Sequence, residues 1–149
     1  MIYNRAKNDV DNALRIRIEK VQRFIKLSAD DIEILERGFV TINTINRVEQ
    51  KQAELYNAFV NAGYYCKKII NKSWQAGDIF KDDDFERLIS NDDILKVAFF
   101  PLSETPMQVL AKYDFQNLNN LEKILFDLGE NYEYMLANWK RCGMYRCGG

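Results

Sequence analysis

Pro101 and Pro106 are the only prolines in this 149-residue chain, and the glycines number seven. A helix interior excludes proline, because the ring removes an N–H and collides with the preceding turn; glycine weakens a helix by its conformational freedom. A chain that confines both prolines to one short stretch has long runs on either side in which helix is unopposed. The apolar spacing fills those runs at the helical period.

Residues 4–26 carry Ala6, Val10, Leu14, Ile18, Val21 and Ile25 at steps of three or four, with Lys7, Asp11, Arg15, Glu19, Lys20, Gln22 and Arg23 on the other face. Ser28 is the expected N-cap of a short second helix, with Asp31 three residues on as in a capping box, and Gly38 is its expected C′ glycine. Thr41 or Thr44 caps a longer helix ending near Asn61, before Gly63, with the stripe Ile45, Val48, Gln52, Leu55 and Phe59. "YYCKKIINKSW" reads as a helical turn or two, then a loop around "WQAGD". "DDDF" opens the next helix with an Asp N-cap; its stripe is Phe85, Leu88, Asn91 or Asp92, Leu95, and Ala98 or Phe99. Residues 100–113 form an extended Pro-containing connector, with one short strand expected at "MQVLA". "DFQNLNN" opens the last helix. Its stripe of Leu118, Leu121, Leu125, Leu128, Tyr132, Met135 and Trp139 is the cleanest in the chain. Residues 141–149 are a Gly/Cys-rich tail. The expected fold is all-α: one domain spanning residues 1–149, a bundle of about four to five amphipathic helices.

One helix entrance recurs. "TINTINRVE" (Thr41–Glu49) aligns with "DFQNLNNLE" (Asp114–Glu122): a capping residue, an apolar residue, two polar residues, apolar, Asn, polar, apolar, Glu. "DFERLISND" (Asp84–Asp92) is a weaker copy with Ile89 where the others have Asn. The starts are unevenly spaced, so this is not a solenoid. Asn is a poor helix-interior residue. Beside an apolar stripe, however, it can bond a neighbouring backbone and fix register. Glu49 and Glu122 lie three residues beyond Asn46 and Asn119, on nearly the same face. Asn46, Glu49, Asn119 and Glu122 are therefore candidate polar stitches between helices; a plain solvated face is the competing reading. Gln52 interrupts the first stripe where Leu125 fills the second, so the second helix is expected deeper in the core and the first nearer a wet or shared surface. Trp74, in "NKSWQAGDIF", is either tucked onto the core or an interface anchor.

Composition narrows the chemistry. Histidine is absent, which removes the commonest general base and metal ligand. No nucleophile elbow, P-loop, zincin helix or dinucleotide fingerprint occurs. Cys142 and Cys147 can form half of a metal site, but Cys66 is the only other thiol, and a terminal disulfide or two free thiols fits better. "KDDDFE" lacks the spacing of a calcium loop, and helix N-terminal Asp accounts for it. A net charge of -1 argues against nucleic acid, and no apolar run of about 18 residues exists to span a membrane. The charged opening "MIYNRAKNDVDNALRIR" is no signal peptide, so synthesis in a cytoplasm is expected. These features point to a non-enzyme without cofactor or metal.

"LSADDIEILERGFVTINTINRVEQKQAEL", "WQAGDIFKDDDFERLISN", "DFQNLNNLEKILFDL" and the end "CGMYRCGG" together resemble small helical proteins from tail modules of phages and prophages of low-GC Gram-positive hosts. "INRVE" and "LNNLE" are similar to the Asn-x-x-Glu helices of phage tail and baseplate proteins, where "LNRIE" is typical. The middle copy departs from that pattern at Ile89 and Asn91. The resemblance implies a structural component of the virion, in the tail tip or baseplate, made in the host cytoplasm. It would assemble as a homo-oligomer or in multiple copies with other phage structural proteins, and no catalytic residues carry over. The alternative is a cytoplasmic adaptor or assembly chaperone for such a protein.

Overall fold

The computed structural model describes residues 2–100, 104–106 and 114–142, with side chains through residue 138. Within these residues the chain is all-helical and forms one domain: α1 (Lys7–Ile16), a π-helical turn (Arg17–Val21), α2 (Ala29–Gly38), α3 (Ile42–Asn61), α4 (Asp82–Ala98) and α5 (Phe115–Cys142). α3, α4 and α5 pack on one another, and α1 packs on α2 as a hairpin. The expected strand at "MQVLA", the side chain of Trp139, most of the connector and the tail from residue 143 lie outside the described residues.

The three-helix core is built from the expected stripes. Val48, Leu55 and Phe59 of α3, Phe85, Leu88 and Leu95 of α4, and Leu121, Leu125 and Leu128 of α5 are all buried together. At one end Phe59, Tyr64, Phe99 and Tyr132 meet with ring centroids 5.0–6.3 Å apart, in stacked and edge-on arrangements.

Helix boundaries follow their caps. Ser28 Oγ accepts from the Asp31 N–H at 3.2 Å while Asp31 accepts from the Ser28 N–H at 2.8 Å. Thr41, not Thr44, caps α3. Gly63, at φ +88, ends α3: its N–H reaches Val60 O, and the Tyr64 N–H reaches Phe59 O, the paired bonds of a Schellman stop. α4 differs from expectation. Its N-cap is Lys81, and Asp84 reaches back to accept from the Lys81 N–H at 3.2 Å, so the acidic run works from inside the first turn.

Gly38 is not a C′ glycine. It lies inside α2, where a Cβ would fall 2.3 Å from the Asp9 carbonyl oxygen and from Ala13 Cβ. Its missing side chain is what lets α2 cross α1 in contact. The hairpin is closed further by Lys20 on Asp31 at 2.7 Å and Arg37 on Asp9 at 3.4 Å.

The first helix also departs from expectation. It starts at Lys7 rather than near residue 4, and it turns only Ala13 and Ile16 fully inward. The stripe Leu14, Ile18, Val21 and Ile25 is left 40–53% exposed. α2 meets α1 on the Asp9–Ala13–Ile16–Lys20 side, and no other described element covers the apolar stripe.

Candidate functional site

The two aligned entrances perform the same operation. On α3, Asn46 Oδ1 accepts from the Trp74 N–H at 3.0 Å and Asn46 Nδ2 donates to the Trp74 carbonyl at 3.0 Å. On α5, Asn119 Oδ1 accepts from the Arg5 N–H at 3.2 Å and its Nδ2 donates to the Arg5 carbonyl at 2.9 Å. One side-chain amide thus satisfies both backbone groups of a single extended residue, as a neighbouring strand would. The Glu three residues on takes the side chain of that same residue. Glu49 accepts from the Trp74 indole N–H at 3.1 Å, and Glu122 accepts from the Arg5 guanidinium. Each Glu also receives a cation from another helix: Arg87 of α4 on Glu49, and Arg47 of α3 on Glu122 at 3.0 Å.

The stitches therefore join helices to extended segments as well as helix to helix. That is more than adjacent helix faces would supply. It also explains why "YYCKKIINKSW" is not helical. Residues 64–75 have no regular structure, and in their second half side chains take backbone groups that a helix would use, at Ile70, Lys72 and Trp74. Asn91 of α4 clamps Ile70 with the same two bonds, at 3.2 and 2.9 Å. Glu49 accepts from the Lys72 N–H at 3.1 Å, and Asn46 holds Trp74. Alternate residues 70, 72 and 74 are thereby held without a strand. Trp74 is buried in the core, against Phe80, with the Lys72 ammonium 5.3 Å from its ring centre.

Gln52 is not near a wet surface. It is fully buried: its Nε2 donates to the Leu88 carbonyl at 2.8 Å and to Asp92 Oδ1 at 2.7 Å, and its Oε1 accepts from Asn91 at 3.0 Å. The interruption in the α3 stripe meets the Asn91–Asp92 interruption in the α4 stripe, so polar residues on facing helices solve one another's burial. Asp92 Oδ2 is buried with no hydrogen-bond partner. Burial pushes the Asp92 carboxyl well above the carboxylate range, against the pull of Gln52 and Lys96 and with Asp93 adding to the push. By contrast, the Lys72 ammonium beside Asp84 holds that carboxyl below its usual range, and Lys20 with the Ser28 donors brings Asp31 down to about 2.

Sequence reasoning named Asn46, Glu49, Gln52, Trp74, Asn119 and Glu122. The structure gathers the first four with Asn91, Asp92 and Arg87 on the α3–α4 side, and the last two with Arg5 and Arg47 on the α5 side. Asn91 and Asp92 had a signal, being polar residues inside an apolar stripe. Arg5 and Arg87 had none, since nothing local marks an arginine as buried.

Chemically, the glutamates of both clusters are occupied from within. Glu49 and Glu122 are buried and already accept several donors each, so neither is presented to an outside molecule. Among the described residues no group of three or more Cys, Asp or Glu is placed to hold a metal ion. A groove of about 510 Å³ lies between α3 and α5, away from the α3–α4 cluster and bordered by Arg47 of the α5 cluster. No protein-family model, curated protein or solved structure matches this chain.

Proposed function

We propose that the protein is a non-enzymatic structural component of a phage tail, tail tip or baseplate, residing in the virion and acting by helix-mediated assembly with copies of itself or neighbouring virion proteins. The class comes from the resemblance of "INRVE" and "LNNLE" to tail-protein helices. The observation that carries the mechanism is the direction in which the polar groups face. The Asn-x-x-Glu clusters spend their hydrogen bonds inward, on Arg5 and Trp74, and leave no acid–base pair open to a substrate. Meanwhile large apolar side chains stand outside: Phe24, Tyr65, Ile79, Val97, Phe100 and Tyr134 are each at least 71% exposed. A stapled interior with an apolar exterior suits a part whose work is contact.

The test is mass spectrometry of purified particles, together with an affinity pull-down from a phage lysate. Recovery in finished particles at defined copy number supports the reading. Absence from particles, with capture of a tail protein from the lysate, moves it to an assembly chaperone. Absence from particles and capture of no virion protein refutes it.

A further inference from the structure

The loop that closes the α1/α2 hairpin has the properties of a plug. Phe24 is 98% exposed and adopts φ +54, a left-handed conformation that disfavours side chains other than Asn and Gly. A bulky aromatic exposed in that conformation is disfavoured by both solvation and backbone preference. Around it stand the uncovered Ile18, Val21 and Ile25. The segment "RIRIEKVQRFIK" (residues 15–26) carries five cations and one acid, +4 in a chain of net charge -1, so the remainder of the chain is at -5. Arg23 and Lys26, which flank Phe24 and Ile25, are exposed, and neither makes an ion pair with a described residue.

The α3/α5 groove is the complement. Leu55, Ala58 and Phe126 contribute apolar lining, and Glu54, Glu130 and Glu133 line it with carboxylates. Among the described residues no cation pairs with Glu130 or Glu133, and Glu54 has Lys51 as its one cation, at 3.7 Å, beside a hydrogen bond from Gln50. Arg47 and Lys51 line the groove too, but Arg47 is committed to Glu122.

We infer that the Phe24 tip of one copy docks into the α3/α5 groove of the next. This rests on the assembly reading above and specifies its contact. The two surfaces are different, so the contact is heterologous: each copy uses its tip on one neighbour and its groove on another, and the array grows into a ring or an open filament. The opposed charges make the association salt-dependent. Self-pairing of two tips would set their arginines against one another.

Analytical ultracentrifugation tests this on the full chain. The wild type is expected to form species beyond a dimer as concentration rises, and to lose them in high salt. Phe24→Asn, which suits the left-handed backbone and so keeps the fold, is expected to be monomeric. So is the double variant Glu130→Arg, Glu133→Arg. Mixing these two variants gives a one-to-one heterodimer and nothing larger, since the first retains only a groove and the second only a tip. Arg23→Glu with Lys26→Glu, combined in one chain with Glu130→Lys and Glu133→Lys, restores growth. A wild type that stays monomeric throughout overturns the inference, as does a mixture of the two variants that fails to pair. These measurements use purified protein alone, so they read out separately from the presence of the protein in particles.

Discussion

Replacing Asp92 by Asn separates the energetic role of a buried acid from its shape. Asp92 is 1% exposed, its Oδ1 accepts from Gln52, and its Oδ2 faces no donor. Such a carboxyl stays protonated in the folded protein, well above the pH at which the unfolded chain releases the proton. The folded pKa is the higher one, so the folded state binds the extra proton. Stability from this group is full below the unfolded value of about 4 and falls as pH rises towards the folded value. The loss is about 1.4 kcal/mol per pH unit across that window. Asn keeps an oxygen for Gln52 but cannot ionise, so it lacks this slope. Its unpartnered amide adds an offset of about 1–3 kcal/mol that does not depend on pH. Urea unfolding followed by circular dichroism from pH ~4 to ~7 should therefore show the difference between variant and wild type moving in favour of the variant as pH rises, at no more than about 1.4 kcal/mol per pH unit. A difference that stays flat across the range would mean that Asp92 is not carrying its proton in the fold, and the account of the Gln52–Asp92 pair would be wrong.

Asn46→Ala strips both backbone partners from Trp74 and should cost about 2–4 kcal/mol; amide exchange at Trp74 and Lys72 should accelerate more than exchange in α5. Gly38→Ala sets a methyl against the Asp9 carbonyl, which cannot yield as a side-chain tip would. It should destabilise the hairpin by about 1–3 kcal/mol, read as earlier proteolysis within residues 7–38. Glu122→Leu leaves the buried Arg5 guanidinium without its carboxylate and should lower stability by about 3–5 kcal/mol in chemical denaturation.

How far the sequence could be read depended on how local each signal was. The stripes of α3, α4 and α5 are periodic within one element, and their burial follows directly, as Leu125 and Phe85 show. The same rule failed for α1. A stripe says only that a face avoids water, not whether its cover belongs to the same molecule, and Leu14, Ile18 and Val21 stay uncovered here. Asn46 and Asn119 stood out because an Asn beside an apolar stripe needs a reason. Their pairing with Trp74 and Arg5 did not, because those residues are distant in sequence and the amides bind their main-chain groups, which carry no sequence signal. Gln52 was misplaced because its burial depends on Asn91 and Asp92 of another helix. Gly38 was misread because a glycine before a helix end fits both a stop and a crossing, and only the neighbour at Asp9 distinguishes them.

The bond between Asn119 and Arg5 spans 114 positions of chain. In synthesis the α1/α2 hairpin needs only its own residues and can close early, while Arg5 has no carboxylate until α5 is made. The segment before α1 thus waits unpaired until the last helix arrives. Its capture marks completion of the bundle, and opening of that contact would be the natural first step in coming apart.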